Sequence, residues 1–135
     1  MIRLVGTVVS GKGEARRYTR EPWALDAFMK AARIDPFPGT LNLAVIENSE
    51  QAAWLKARTT HGILLPAPSA AFCDGRLFHA EVTASSGRIE KGAIVVPMVP
   101  GYPEDQLEII AAIGLRDALA VGDGDEVVVK IETGS

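Results

Sequence analysis

Apolar positions along this chain recur mostly at strand spacing. Ile2 to Ser10, IRLVGTVVS, is rich in β-branched residues and predicts a strand. A basic, glycine-containing stretch follows, and then the period changes. Between Arg20 and Ile34, the residues Leu25, Phe28, Met29 and Ala32 fall at i, i+3, i+4 and i+7. That spacing predicts a helix with one apolar face packed on a core, and Pro22 suits its first turn. Pro36 and Pro38 exclude helical continuation. Thr40 to Ile46, TLNLAVI, returns to alternation and predicts a second strand, and Asn48 to Arg58 predicts a short helix capped by Asn48 or Ser49.

Further along, Gly62 to Pro68 is apolar and proline-rich, as expected of an edge strand. Ala70 to Ser85 predicts a hairpin turning at Asp74-Gly75. Gly92 to Val99 reads as a buried strand and Leu107 to Ala112 as a short one. Leu115 to Val121 allows one or two helical turns, and Gly122 to Glu132 a tight turn followed by a strand. Roughly seven short strands and two or three short helices result from these periods. So many strands in a small chain predict a mainly β class, a compact barrel with short helices packed outside it. The βαβ succession of a doubly wound sheet is missing.

Composition narrows the partners. The chain has 135 residues, 47% hydrophobic and 23% charged, which fits one globular domain over residues 1–135 with a sizeable core. A net charge of −3 leaves no basic footprint, so a nucleic-acid partner is not expected. Cys73 is the only cysteine, which excludes an intramolecular disulfide and a cysteine-based zinc site and points to a cytoplasmic setting. The first residues do not read as a signal peptide, and no run reaches about 18 apolar residues, so no membrane partner is expected. His61 and His79 have no metal-ligand spacing, and the DGDE run at Asp123 to Glu126 lacks the loop length of a calcium site and reads as a tight turn.

Two stretches carry candidate chemistry. In SGKGEARR, Ser10 to Arg17, Gly11 and Gly13 allow close backbone approach, and Lys12, Arg16 and Arg17 add positive charge, the ingredients of a phosphate cradle. A solvated basic turn has the same composition. In PFPGTLNL, Thr40 and Asn42 stand two apart in a strand and share one face, while Leu41 and Leu43 share the other. A hydroxyl and a carboxamide oxygen then converge. Both are hard, neutral oxygen ligands, suited to magnesium that arrives already carried by a nucleotide. A strand threonine and a turn asparagine are the plain alternative.

Three segments together, GTVVSGKGEA, PFPGTLNL and LEIIAAIGLRDALAVGDGDEVVV, resemble the CTP-dependent riboflavin kinases, found chiefly in archaea. The resemblance spans almost the whole chain. It implies a six-stranded cradle-loop β-barrel and transfer of the terminal phosphate of CTP to riboflavin, giving FMN and CDP with Mg2+. It implies magnesium at Thr40 and Asn42. Nucleotide contacts fall on Gly11, Lys12, Gly13, Glu14, Ala15 and Arg16 and on Ile113, Gly114, Leu115 and Arg116. Flavin contacts fall on Glu108 and, in the loop before it, on Pro100. The chain departs from the family pattern at Ala15, at Ala112, and at Pro100-Gly101, which align where a threonine and a histidine help seat the flavin. The alternatives are a non-catalytic flavin- or nucleotide-binding barrel and a kinase of a different small alcohol. No residue is assigned as general base, and Glu108 has the plain alternative of a solvated strand-start glutamate.

Overall fold

The computed structural model describes residues 1–11 and 19–134. Among them are seven strands and three helices: β1 (Ile2–Val9), α1 (Pro22–Ala32), β2 (Leu41–Ile46), α2 (Gln51–Thr60), β3 (Ile63–Leu65), β4 (Gly75–Ala84), β5 (Ile89–Pro97), β6 (Gln106–Ile110), α3 (Leu115–Leu119) and β7 (Glu126–Ile131). All pairings are antiparallel. The order β4-β5-β6-β2-β1-β7 closes on itself through β4–β7, which makes a six-stranded barrel with β3 added outside. The mainly β class and the six-stranded barrel expected from the sequence are what the chain adopts.

Closure follows from period-2 patterning. Leu4 and Val8 of β1, Leu43 of β2, Leu107 and Ile109 of β6, Ile94 of β5, Val82 of β4 and Val129 of β7 are all fully or almost fully buried and form one interior cluster. Helices complete that cluster: Trp54 of α2 and Leu119 of α3 join it. Trp54 meets Phe78 edge-on, with ring centroids 4.9 Å apart, a favoured aromatic geometry. A second cluster lies on the outer face of β4, β5 and β6, where α1 and β3 cover Leu77, Ala93, Val95 and Ile110.

Three local readings are corrected. The α1 face is centred on Ala24 and Phe28, with Leu25 and Ala32 of the expected stripe packed against the same cluster, whereas Met29 is exposed. Trp23, Ala27 and Ala31 pack there too, so the covered face is broader than the stripe and turned away from Met29. Asp74-Gly75 does not turn a hairpin. Asp74 instead braces the entry to β4, its carboxylate accepting from the Ala67 amide at 2.7 Å and its carbonyl from the Met98 amide at 2.8 Å. The reversal comes ten residues later, between Ala84 and Arg88, where Gly87 takes φ 93°. Neither Asn48 nor Ser49 caps α2. The N-cap is Glu50, and Asn48 accepts from the Glu50 amide at 2.8 Å just outside the helix. The DGDE run does form a tight turn, joining α3 to β7.

Gly92 fixes the seam between β5 and β6. A Cβ there would stand 2.5 Å from the Ile110 carbonyl oxygen. Gly92→Ala is therefore expected to lower stability by about 1–3 kcal/mol, the usual range for forced overpacking. Urea unfolding checks it, and an unchanged midpoint would contradict the close approach.

Candidate functional site

β2 lies between β1 and β6, and its register brings the candidate residues together. Asn42 pairs with Val9 on one side and with Glu108 on the other. Directly opposed residues point to the same face, so Asn42 and Glu108 stand side by side. Leu41 and Leu43 point the other way into the barrel interior. Asn42 is 8% exposed and Glu108 is fully buried.

Thr40 precedes the strand. The turn that leads to it begins where α1 stops: Arg33 takes a left-handed conformation, φ 56°, and its amide donates to the Met29 carbonyl. The helix therefore ends before the prolines are reached. Gly39 takes φ 99°, a region that favours glycine. Its amide donates to the buried Thr19 hydroxyl at 3.1 Å. The Thr40 hydroxyl then donates to Asn42 Oδ1 at 2.9 Å. The two oxygens face each other, as the alternation requires.

Gly11 joins them from just beyond the end of β1. A Cβ on Gly11 would stand 2.9 Å from Asn42 Cγ, so only glycine lets the backbone lie against that carboxamide. Of the remaining glycine-rich candidates, Lys12, Gly13, Glu14, Ala15 and Arg16 lie outside the described residues.

A cavity of about 290 Å³ opens beside Thr40. Ile113, Gly114, Leu115 and Arg116 line it together with Phe37 and Gly39. Two segments separated by some seventy positions in the chain thus meet at one opening. Arg116 donates to the Val9 carbonyl at 3.2 Å and to Asp123 Oδ1 at 2.7 Å. Ser10 donates to the other Asp123 oxygen at 2.8 Å. Asp123 therefore ties the α3 arginine to the take-off of the glycine-rich segment. The sequence reading missed this role, because DGDE was read only as a turn. The Arg116 guanidinium first, and the Ser10 hydroxyl second, hold the Asp123 carboxyl below its ordinary range.

Glu108 is not a solvated strand-start residue. Its Oε2 accepts from the Tyr102 hydroxyl at 2.6 Å, a short O–H···O bond. Burial first, then the charge of Glu108, push the Tyr102 hydroxyl far above its ordinary range, so it remains a donor at any working pH. Arg58 pins the same loop, donating to the Pro103 carbonyl at 3.1 Å and lying 5.8 Å from the Tyr102 ring centroid. Pro100 is exposed and lines a separate groove with Arg58 and Tyr102. Among the candidates, Gly11, Thr40, Asn42 and Glu108 are adjacent across the ladder, and Ile113 to Arg116 reach Thr40 through the cavity. Pro100 lines a groove with Tyr102, whose hydroxyl reaches Glu108.

Among the described residues, no group of three His, Cys, Asp or Glu gathers to hold an ion. The Thr40 and Asn42 oxygens fit part of a magnesium shell whose remaining places go to water and phosphate.

Two measurements follow. Tyr102→Phe removes a donor from a buried carboxylate and is expected to cost about 1–3 kcal/mol in urea unfolding; an unchanged stability would contradict the buried contact. For Asp123, a folded-state value below the unfolded one means that the contact contributes above the unfolded pKa and is lost as pH falls through the folded pKa. A carboxyl titration followed by NMR should place its midpoint below the ordinary carboxylate value, and Arg116→Ala should return it most of the way.

The chain matches the CTP-dependent riboflavin kinase family, described as "Domain of unknown function DUF120", over residues 8–131. A riboflavin kinase of Archaeoglobus fulgidus is 38% identical over 132 residues, covering 96% of this chain and 54% of its own. One of Methanococcoides burtonii is 34% identical over 133 residues, covering 97% and 57%. One of Sulfolobus acidocaldarius is 27% identical over 134 residues, covering 97% and 82%. This chain thus spans little more than half the length of the first two. By the match over nearly all of its strands, the chain belongs to the CTP-dependent riboflavin kinase family.

Proposed function

We propose that this chain transfers the terminal phosphate of CTP to the primary hydroxyl of riboflavin. The observation that carries the reading is the Thr40–Asn42 oxygen pair, 2.9 Å apart and packed against Gly11. The hydroxyl oxygen of riboflavin attacks the terminal phosphorus, the bond to the bridging oxygen breaks, CDP leaves, and the hydroxyl proton is released. Such transfers depend mainly on alignment and on neutralised charge. Thr40 and Asn42 would hold Mg2+, which would supply positive charge to offset that of the phosphates. Gly11, Lys12, Gly13, Glu14, Ala15 and Arg16 contact the nucleotide, and so do Ile113, Gly114, Leu115 and Arg116. Glu108, fixed by Tyr102, accepts a hydrogen bond from the flavin.

A second reading is a kinase of a different small alcohol. It is favoured by Pro100, which stands where the family pattern has a flavin-seating threonine and which opens on its own groove rather than beside Glu108. A non-catalytic barrel that binds flavin or nucleotide is the third.

The deciding experiment incubates the protein with riboflavin, Mg2+ and each nucleoside triphosphate in turn and follows FMN by chromatography. FMN and CDP in equal amounts from CTP are expected. Binding without product from any triphosphate would leave only the non-catalytic reading, and CDP released with another alcohol would favour the second. Thr40→Ala and Asn42→Ala are each expected to lower the rate by about 100-fold, the scale of lost transition-state charge stabilisation, with the fold retained by circular dichroism. Unchanged CTP affinity in Mg2+ would contradict the metal assignment.

A further inference from the structure

Phe37 is 52% exposed, and Ile113 beside it is 45% exposed. Both line the cavity that contains Thr40. Single exposed apolar residues are ordinary, but two that converge on one cavity mark a binding wall. The exposure of Phe37 does not come from a loose backbone. Its amide donates to the Ala111 carbonyl at 2.8 Å, Pro36 before it is buried, and Pro38 follows. Two prolines restrict the backbone on either side of the ring. The ring also lies against Gly114: a Cβ there would stand 3.3 Å from Phe37 Cζ. The chain thus holds a half-exposed aromatic ring at the wall of the cavity.

The geometry points to Phe37 as the platform on which the nucleobase of the phosphate donor stacks, with Ile113 as the neighbouring apolar wall. This inference rests on the phosphotransferase reading and names a residue that the reading does not use. Beside this apolar wall the cavity is lined by Thr40, Arg116 and Asp117, so it offers apolar surface for the base of a nucleotide together with polar groups for the rest of it. At about 290 Å³ it lies at the small end of ligand sites, which suits one nucleoside better than a three-ring flavin. Stacking on an aromatic face is tolerant of base identity, because every base has a π-face. Phe37 therefore supplies affinity and leaves base choice to other groups.

Three variants test this by calorimetry and fluorescence. Phe37→Ala is expected to weaken CDP binding about tenfold, the scale of one lost base-stacking contact. The factor should be similar with and without Mg2+, and similar for UDP and ADP. Phe37→Leu keeps apolar area without a flat face and should stay weak, whereas Phe37→Trp should restore binding. In Phe37→Trp the new indole emission should be quenched saturably by CDP, beyond any change in the parent protein, and not by inorganic tripolyphosphate. Parent-like CDP affinity in Phe37→Ala, or unquenched emission while calorimetry records CDP binding, overturns the platform and leaves the kinase reading intact. Quenching by riboflavin in place of CDP assigns the ring to the acceptor and overturns it too. Absence of CDP binding by the parent protein would instead overturn the kinase reading, and the platform with it.

Discussion

The site depends on the register of β2 between β1 and β6. Side chains alternate along a strand, so sliding β2 by one residue would turn Asn42 into the barrel and bring Leu41 or Leu43 out. The interior prevents that slip: Leu43 is fully buried between Val8 and Leu107 across the two ladders. Apolar burial thus sets the position of a polar group that contributes little to the core itself. Thr40 gains from the same constraint, since it sits one residue before the paired segment and aims its hydroxyl at the Asn42 oxygen. Gly11 then needs no side chain of its own to complete the arrangement, only the freedom to lie close.

Two further contacts hold the surroundings of that ladder. The Arg116–Asp123–Ser10 chain is solvent-exposed, and exposed pairs of this kind contribute little to stability. Its effect is positional: it links α3, the turn before β7 and the end of β1 beside the cavity. The Tyr102–Glu108 contact is buried, so it does weigh on stability, and it fixes the loop between β5 and β6 against β6. The loop in which this chain departs from the family pattern, around Pro100 and Gly101, is therefore anchored just after them, by Tyr102 on Glu108 and by Arg58 on the Tyr102 and Pro103 carbonyls.

Much of this was legible in the sequence, for physical reasons that can be named. The barrel strands were readable because β-branched runs and period-2 patterning are local. The common face of Thr40 and Asn42 was readable because strand geometry alone dictates it. What local pattern could not supply was any feature decided by a distant partner. The α1 stripe placed Leu25, Phe28 and Ala32 correctly but not Met29, because the exact face of a helix is chosen by what it packs on, here the cluster that holds Leu77 and Val95. Asp74-Gly75 looked like a hairpin turn because its composition suits one, yet Asp74 is used by Ala67 and Met98 from either side. The burial of Glu108 and the linking role of Asp123 rest on pairings across the fold, with Tyr102 in the one case and with Ser10 and Arg116 in the other. The resemblance located Glu108, but only the fold shows that it is fully enclosed.

β3 has a consequence for how this protein survives in a crowded solution. β4 is longer than the stretch that β7 reaches: β7 pairs with Ala80 to Ala84, and β3 takes the part from Gly75 to Leu77. The barrel thereby covers nearly the whole of its longest seam. The outward margin of β3 is only three residues long, and Pro66, which lacks an amide hydrogen, follows at once. Short, proline-terminated margins are poor templates for a second chain to pair with. The exposed Leu64 on that margin is thus set in a segment too brief to seed sheet growth between molecules.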